Sequence, residues 1–208
     1  MVSFLVKKHI YNRAKDWNLQ VPSNWEDIIK EYINFIQINN ISITFSWLYD
    51  LGRKSLNANA MVKNKIILNA EWAARIVLYN NSKTKNAFLI TIGHELTHKE
   101  KEISRFVWKR NDRKFIAQLN EIHADFGAAQ KMVNSSRERL INSIDYKKRL
   151  KKMDKGDFVH PSWKRRGYYA NNFNFNKTLV YQVANDTYCK NARLVEKTSK
   201  FYEDIILK

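Results

Sequence analysis

Residues 94–98 read His-Glu-Leu-Thr-His, two histidines four apart with a glutamate beside the first. On a helix, positions i and i+4 share one face a turn apart, so His94 and His98 can grip a single ion. Zinc takes imidazole nitrogen at about 2.0–2.1 Å, and catalytic zinc sites pair three protein ligands with a water in the open position. Glu95 falls where its carboxylate can take a proton from that water. The spacing therefore predicts one Zn²⁺ as cofactor. The apolar residues Ala87, Phe88, Leu89 and Ile90, one to two turns earlier, fit a helix buried in the core, which would hold the ligands rigidly.

A third ligand is needed, and residues 120–129, NEIHADFGAA, offer one. Glu121 and Asp125 are again four apart on a helix. Glu121 can complete the metal sphere, while Asp125 can accept the remaining N–H of a bound imidazole, most simply His94, fixing its tautomer and raising its donor strength. His123 is the rival ligand, but choosing it leaves Glu121 and Asp125 without a joint role. The small residues Gly127, Ala128 and Ala129 would let this helix pack closely.

These residues must be carried by ordered elements. Ser23 and Glu26 form a capping box opening a helix through about residue 37, and Ile41, Ile43, Phe45 and Trp47 alternate as a half-buried strand. Residues 57–69 read as two short strands joined near Lys63-Asn64. Asn69 caps a helix. The polar residues 82–84 predict a break before the motif-bearing helix at about 86–102. Further helices are expected at 113–133, from Ser135 or Ser136 to about Met153 with Ser135 and Glu138 as a capping box, and at 185–206. The predicted fold is α+β, mainly helical, one domain over residues 1–208 with a small mixed sheet packed on the helix carrying His94 and His98.

Composition bounds the rest. A 208-residue chain with 44% hydrophobic and 13% aromatic residues, five glycines and two prolines is globular, with one well-buried core. Cys189 is the single cysteine, which excludes an internal disulfide and fits a reducing compartment. The N-terminal apolar run is too short for a signal-peptide core, and no eighteen-residue apolar stretch could span a membrane. A cytoplasmic, soluble protein is expected. The net charge of +17 attracts nucleic acid or an anionic surface.

HELTH followed by EIHAD resembles the gluzincin metallopeptidases, whose third ligand is a glutamate on a later helix. Residues 160–166, HPSWKRR, are similar to a His-Pro-x-x-x-x-Arg segment of the CAAX prenyl endopeptidase family and its bacterial heat-shock membrane relatives. The resemblance covers about residues 57–170 and implies a zincin-like catalytic domain acting on peptide or protein substrates. It further implies that His160 steadies an oxyanion and that Arg166 holds the cleft or contacts substrate. Asn59 and Ala60 match a cleft-rim strand that would bind extended peptide by strand addition. Those membrane relatives carry transmembrane helices and this chain shows none, so a soluble, minimal form is the nearer comparison.

Two other function classes stay open. A nucleic-acid-associated protease of the DNA–protein crosslink type would use the basic runs 147–152 and 164–166. A latent or non-catalytic zinc-binding regulatory protein would fold its termini over the cleft, although a purely structural site needs four closed ligands and no base.

Overall fold

A computed structural model describes residues 3–35, 42–48, 56, 58–61, 65–99, 109–150 and 155–206. Its elements run α1 (Phe4–Asp16), α2 (Trp25–Phe35), β1 (Ser42–Ser46), β2 (Ala58–Met61), β3 (Lys65–Asn69), α3 (Ala70–Leu78), α4 (Ser82–His98), α5 (Arg110–Met132), α6 (Arg137–Leu150), α7 (Trp163–Asn172), α8 (Lys177–Asp186) and α9 (Ala192–Ile206). The fold is thus mainly helical with one small sheet. That sheet is mixed, in the order β1-β3-β2: β1 runs parallel to β3, pairing Phe45 with Leu68, and β2 runs antiparallel to it, pairing Asn59 with Ile67. The expected turn at residues 63–64 lies outside the described residues.

Ile66 and Leu68 point from β3 into the core, where α3 and α4 cover them. Phe88 of α4 is the hub, with its ring centroid 5.7 Å from those of Tyr32 and Trp72 and 6.4 Å from that of Phe45. A second cluster joins Phe115, Leu119 and Ile122 of α5 to Leu179 and Val183 of α8 and Tyr202 of α9. A third lies between α4, α5, α6 and α7, around Ile90, Ala128, Leu140, Ile144 and Ala170. α4 and α5 therefore run through the middle of the molecule, each buried on more than one side.

Several boundaries differ from expectation. The motif helix starts at Ser82, because the Asn81 side chain accepts the Thr84 N–H (3.0 Å) as an N-cap; the polar stretch begins the helix where a break was expected. Ser136, not Ser135, caps α6 by accepting the Arg139 N–H, while Asn134 and Ser135 take left-handed backbone angles in the turn before it. The helix expected at 185–206 is α9, which starts later, at Ala192: the chain turns at Tyr188 (φ 58) after the end of α8, and the Asn191 side chain opens α9 by accepting the Leu194 N–H. α1, α7 and α8 have no counterpart in the expected elements. α1 is held by ions: buried Glu71 at the start of α3 meets Arg13 Nε at 2.7 Å and His9 Nε2 at 3.0 Å, with Arg75 at 3.5 Å. Among the described residues, no helix is long and apolar enough to cross a membrane.

Candidate metal centre

α4 and α5 lie antiparallel and unusually close, because glycine faces a neighbouring side chain at two levels. A Cβ on Gly93 would stand 2.9 Å from the Ala128 Cα, and a Cβ on Gly127 would stand 2.6 Å from the Thr97 Cγ2. The Thr97 hydroxyl turns back to its own helix, donating to the Gly93 carbonyl at 2.8 Å, so no polar group is stranded at the contact. This approach lets a short carboxylate side chain on α5 reach imidazoles on α4.

At the resulting junction, His94 Nε2 lies 3.0 Å from His98 Nε2 and 3.3 Å from Glu121 Oε2, and His98 Nε2 lies 3.4 Å from Glu121 Oε1. The rings stand nearly perpendicular, at 84°. Among the described residues, these three form the group of ligand-type side chains able to hold a metal ion. Three donors at about 2.05 Å from a tetrahedral zinc would stand roughly 3.3 Å apart; each ring meets a different Glu121 oxygen at about that separation, and one ligand atom from each residue lies within 4.8 Å of the others. The donor chemistry fits as well. His94 Nδ1 faces Asp125 Oδ1 at 3.0 Å. With the proton on that nitrogen, Nε2 presents a lone pair toward the Glu121 oxygens. Lone pairs converging at these distances need a cation, and a proton bridges only one pair of them.

The electrostatics favour ligand forms of the acids. Burial alone would raise the Glu121 carboxyl, but its hydrogen bonds and charge interactions with His94 and His98 prevail and hold it well below the usual carboxylate range. Asp125 is likewise held low against its burial, first by the Arg166 charge and then by His94. Arg166 Nε donates to Asp125 Oδ2 at 2.6 Å, and its terminal nitrogen donates to Asp125 Oδ1. The guanidinium carbon sits 4.3 Å from the centroid of the Trp163 ring. The result is a chain of contacts from Trp163 through Arg166 and Asp125 to His94.

Each expected site residue can now be placed. His94, His98, Glu121 and Asp125 come together as described. Glu95 is half-buried on α4 beside the first ligand and close enough to Arg166 to help hold that cation charged. Arg166 is only 7% exposed and is spent on Asp125, so it supports the centre from behind and presents no free charge to an open cleft. This also divides the basic run at residues 164–166. His160 Nε2 lies 3.8 Å from Glu121 Oε1 on a side chain 55% exposed, at the open side of the centre. His123 turns away from the centre, its ring 4.7 Å from Tyr202 and 5.1 Å from Phe175. Asn59 and Ala60 lie on β2, which has β3 on one side, no strand on the other among the described residues, and α4 packed against it.

Asp157 escaped the sequence reading. Its Oδ1 accepts the Val159 and His160 backbone N–H groups (2.8 and 2.6 Å), and its carboxylate meets His160 Nδ1 at 2.9–3.0 Å. Despite partial burial, these hydrogen bonds keep Asp157 below its ordinary value. The signal was an aspartate three residues before the histidine, a spacing at which the side chain closes an Asx-type turn. Comparison with protein-family models, with curated proteins and with solved structures finds no match.

Proposed function

We propose that this chain is a zinc-dependent peptidase of the gluzincin kind, a small relative in mechanism of the CAAX prenyl endopeptidases. The observation that carries the reading is the convergence of His94 Nε2, His98 Nε2 and Glu121 within 3.0–3.4 Å, on the same helix turn as Glu95. His94, His98 and Glu121 would hold the ion, and three donors rather than four leave a position for chemistry. When bound, zinc supplies Lewis acidity, making water a stronger acid and a carbonyl carbon a better electrophile.

The chain's own residues supply the rest. Glu95 takes the proton from the attacking water and returns it to the leaving amine. His160, oriented through Nδ1 by Asp157, in its doubly protonated form donates its Nε2–H to the charge that develops on the carbonyl oxygen. Asp125 and Arg166 keep His94 in one tautomer and one orientation. The outer edge of β2 offers main-chain groups to an extended peptide.

Glu95→Gln tests the assignment. It should leave metal content unchanged by elemental analysis and lower hydrolysis of an unbiased peptide mixture by roughly 10²–10⁴-fold. Retained turnover in that variant would falsify the general-base role. His98→Ala and Glu121→Ala should each lose the metal.

A further inference from the structure

A cavity of about 550 Å³ opens beside His160. Four cationic side chains line it, Lys114, Lys155, Lys164 and Arg165, against two carboxylates, Asp157 and Asp186. Both acids are already engaged: Asp157 by His160 and its own turn, Asp186 by the Tyr169 hydroxyl at 2.6 Å and by Gln182 at 3.2 Å. Lys114 and Lys155, in contrast, have no ion pair among the described residues. Gln118 forms part of the wall toward α5. Gln118, 3% exposed, donates Nε2 to the Asp157 carbonyl at 3.1 Å, which fixes its amide; its Oε1 is buried with no partner among the described residues.

The cavity and the candidate metal centre share one residue. His160 lines the cavity and also reaches Glu121. Gln118 and Lys114 precede Glu121 by three and seven residues on α5, about 5 and 10 Å along the helix axis. An extended peptide advances about 3.3 Å per residue, so the cavity spans roughly the first three substrate residues on one side of the reacting bond.

We infer that this cavity is a specificity subsite for an acidic side chain, glutamate or aspartate, of a peptide substrate. Lys114 and Lys155 meet its carboxylate. The inference rests on the peptidase reading for what the ligand is, and its test is separable from that reading. The probes are two fluorescein-labelled, end-blocked peptides, identical but for glutamate against glutamine at adjacent central positions. They are titrated by anisotropy into the full chain carrying Glu95→Gln, so that they stay uncut, with and without added zinc.

The glutamate peptide should bind on the order of tenfold more tightly. The preference should vanish in Lys114→Ala/Lys155→Ala and survive in Lys8→Ala/Lys15→Ala, which removes the same charge from exposed positions of α1. Equal binding of the two peptides, or equal loss of preference in both double variants, overturns the subsite. Preferential binding with no cleavage by the unaltered chain leaves the subsite standing and removes the peptidase. Cleavage of both peptides with equal kcat/KM does the reverse.

Discussion

Replacing Gly127 by alanine puts the α4–α5 contact under direct strain. The new methyl would stand 2.6 Å from Thr97 Cγ2 and 2.7 Å from Thr97 Oγ1, roughly 0.9 Å inside the ~3.5 Å at which carbon atoms pack comfortably. Thr97 cannot easily swing away, since it is β-branched on a helix and its hydroxyl is committed to the Gly93 carbonyl. Overpacking of this kind costs about 1–3 kcal/mol, against a gain of about 1 kcal/mol for alanine over glycine in a helix. If the helices separate to make room, Glu121 moves away from His94 and His98, and metal sites tolerate only about 0.2 Å of such drift. Gly127→Ala should therefore lose stability and weaken zinc binding by tenfold or more, on the order of a lost supporting contact.

In a Thr97→Ala background the nearest remaining atom is the Cβ of residue 97 at 3.2 Å, so the same change should become neutral or stabilising and zinc affinity should recover. Urea unfolding and chelator competition on the four proteins of the cycle read both quantities. The expected coupling is about 1–3 kcal/mol; a value within the ~0.5 kcal/mol scatter of independent sites refutes the steric account.

The remaining predictions draw on other parts of the molecule. Asp125→Ala strands the buried Arg166 and should cost about 3–5 kcal/mol, with a separate 10–100-fold loss of zinc affinity measured under folding conditions. Glu71 is held below its ordinary value of 4.5: burial opposes this, but His9, Arg13 and Arg75 prevail. The unfolded chain then binds more protons as acid is added, so the contribution of Glu71 is complete above pH 4.5 and fades as pH falls through its lower folded value. Accordingly, the stability gap between the natural chain and Glu71→Gln should be widest near neutrality and close below pH 4.5; a gap that widens in acid contradicts it. Cys189 is pushed up to about 11, chiefly by burial and also by Asp112, whose Oδ1 lies 3.3 Å from the sulfur. Its alkylation at pH 8 should be roughly two orders of magnitude slower in the folded chain than in guanidinium, followed by mass spectrometry.

The centre was legible where chemistry imposes spacing. A helix fixes the offset between His94 and His98 and between Glu121 and Asp125, so their shared faces could be read directly. Elements specified by tertiary contact were harder. The buried face of α1 is Val6, His9, Ile10, Arg13 and Ala14, an ideal helical spacing in which two members are polar and balanced by Glu71 in distant α3. Hydrophobic periodicity alone passes over such a face. The break between α8 and α9 contains neither glycine nor proline; Asp112 of α5 meets Cys189 and Asn191 there, and the Thr187 hydroxyl bonds back to Val183. The reach of Arg166 to Asp125 depends on α7 docking, which no local pattern encodes.

The two ends of the chain bear on how the protein can be handled. α1 supplies Arg13 and His9 to a carboxylate that is 2% exposed, and α9 sends Tyr202 into the aromatic packing around His123 while its hydroxyl donates to Asn120. Shortened versions lacking either helix would leave a desolvated anion or an open hole, not an uncovered groove. Gain of activity on trimming is accordingly not expected; purification tags belong outside both helices, and limited proteolysis at either end should read out as loss of folded protein.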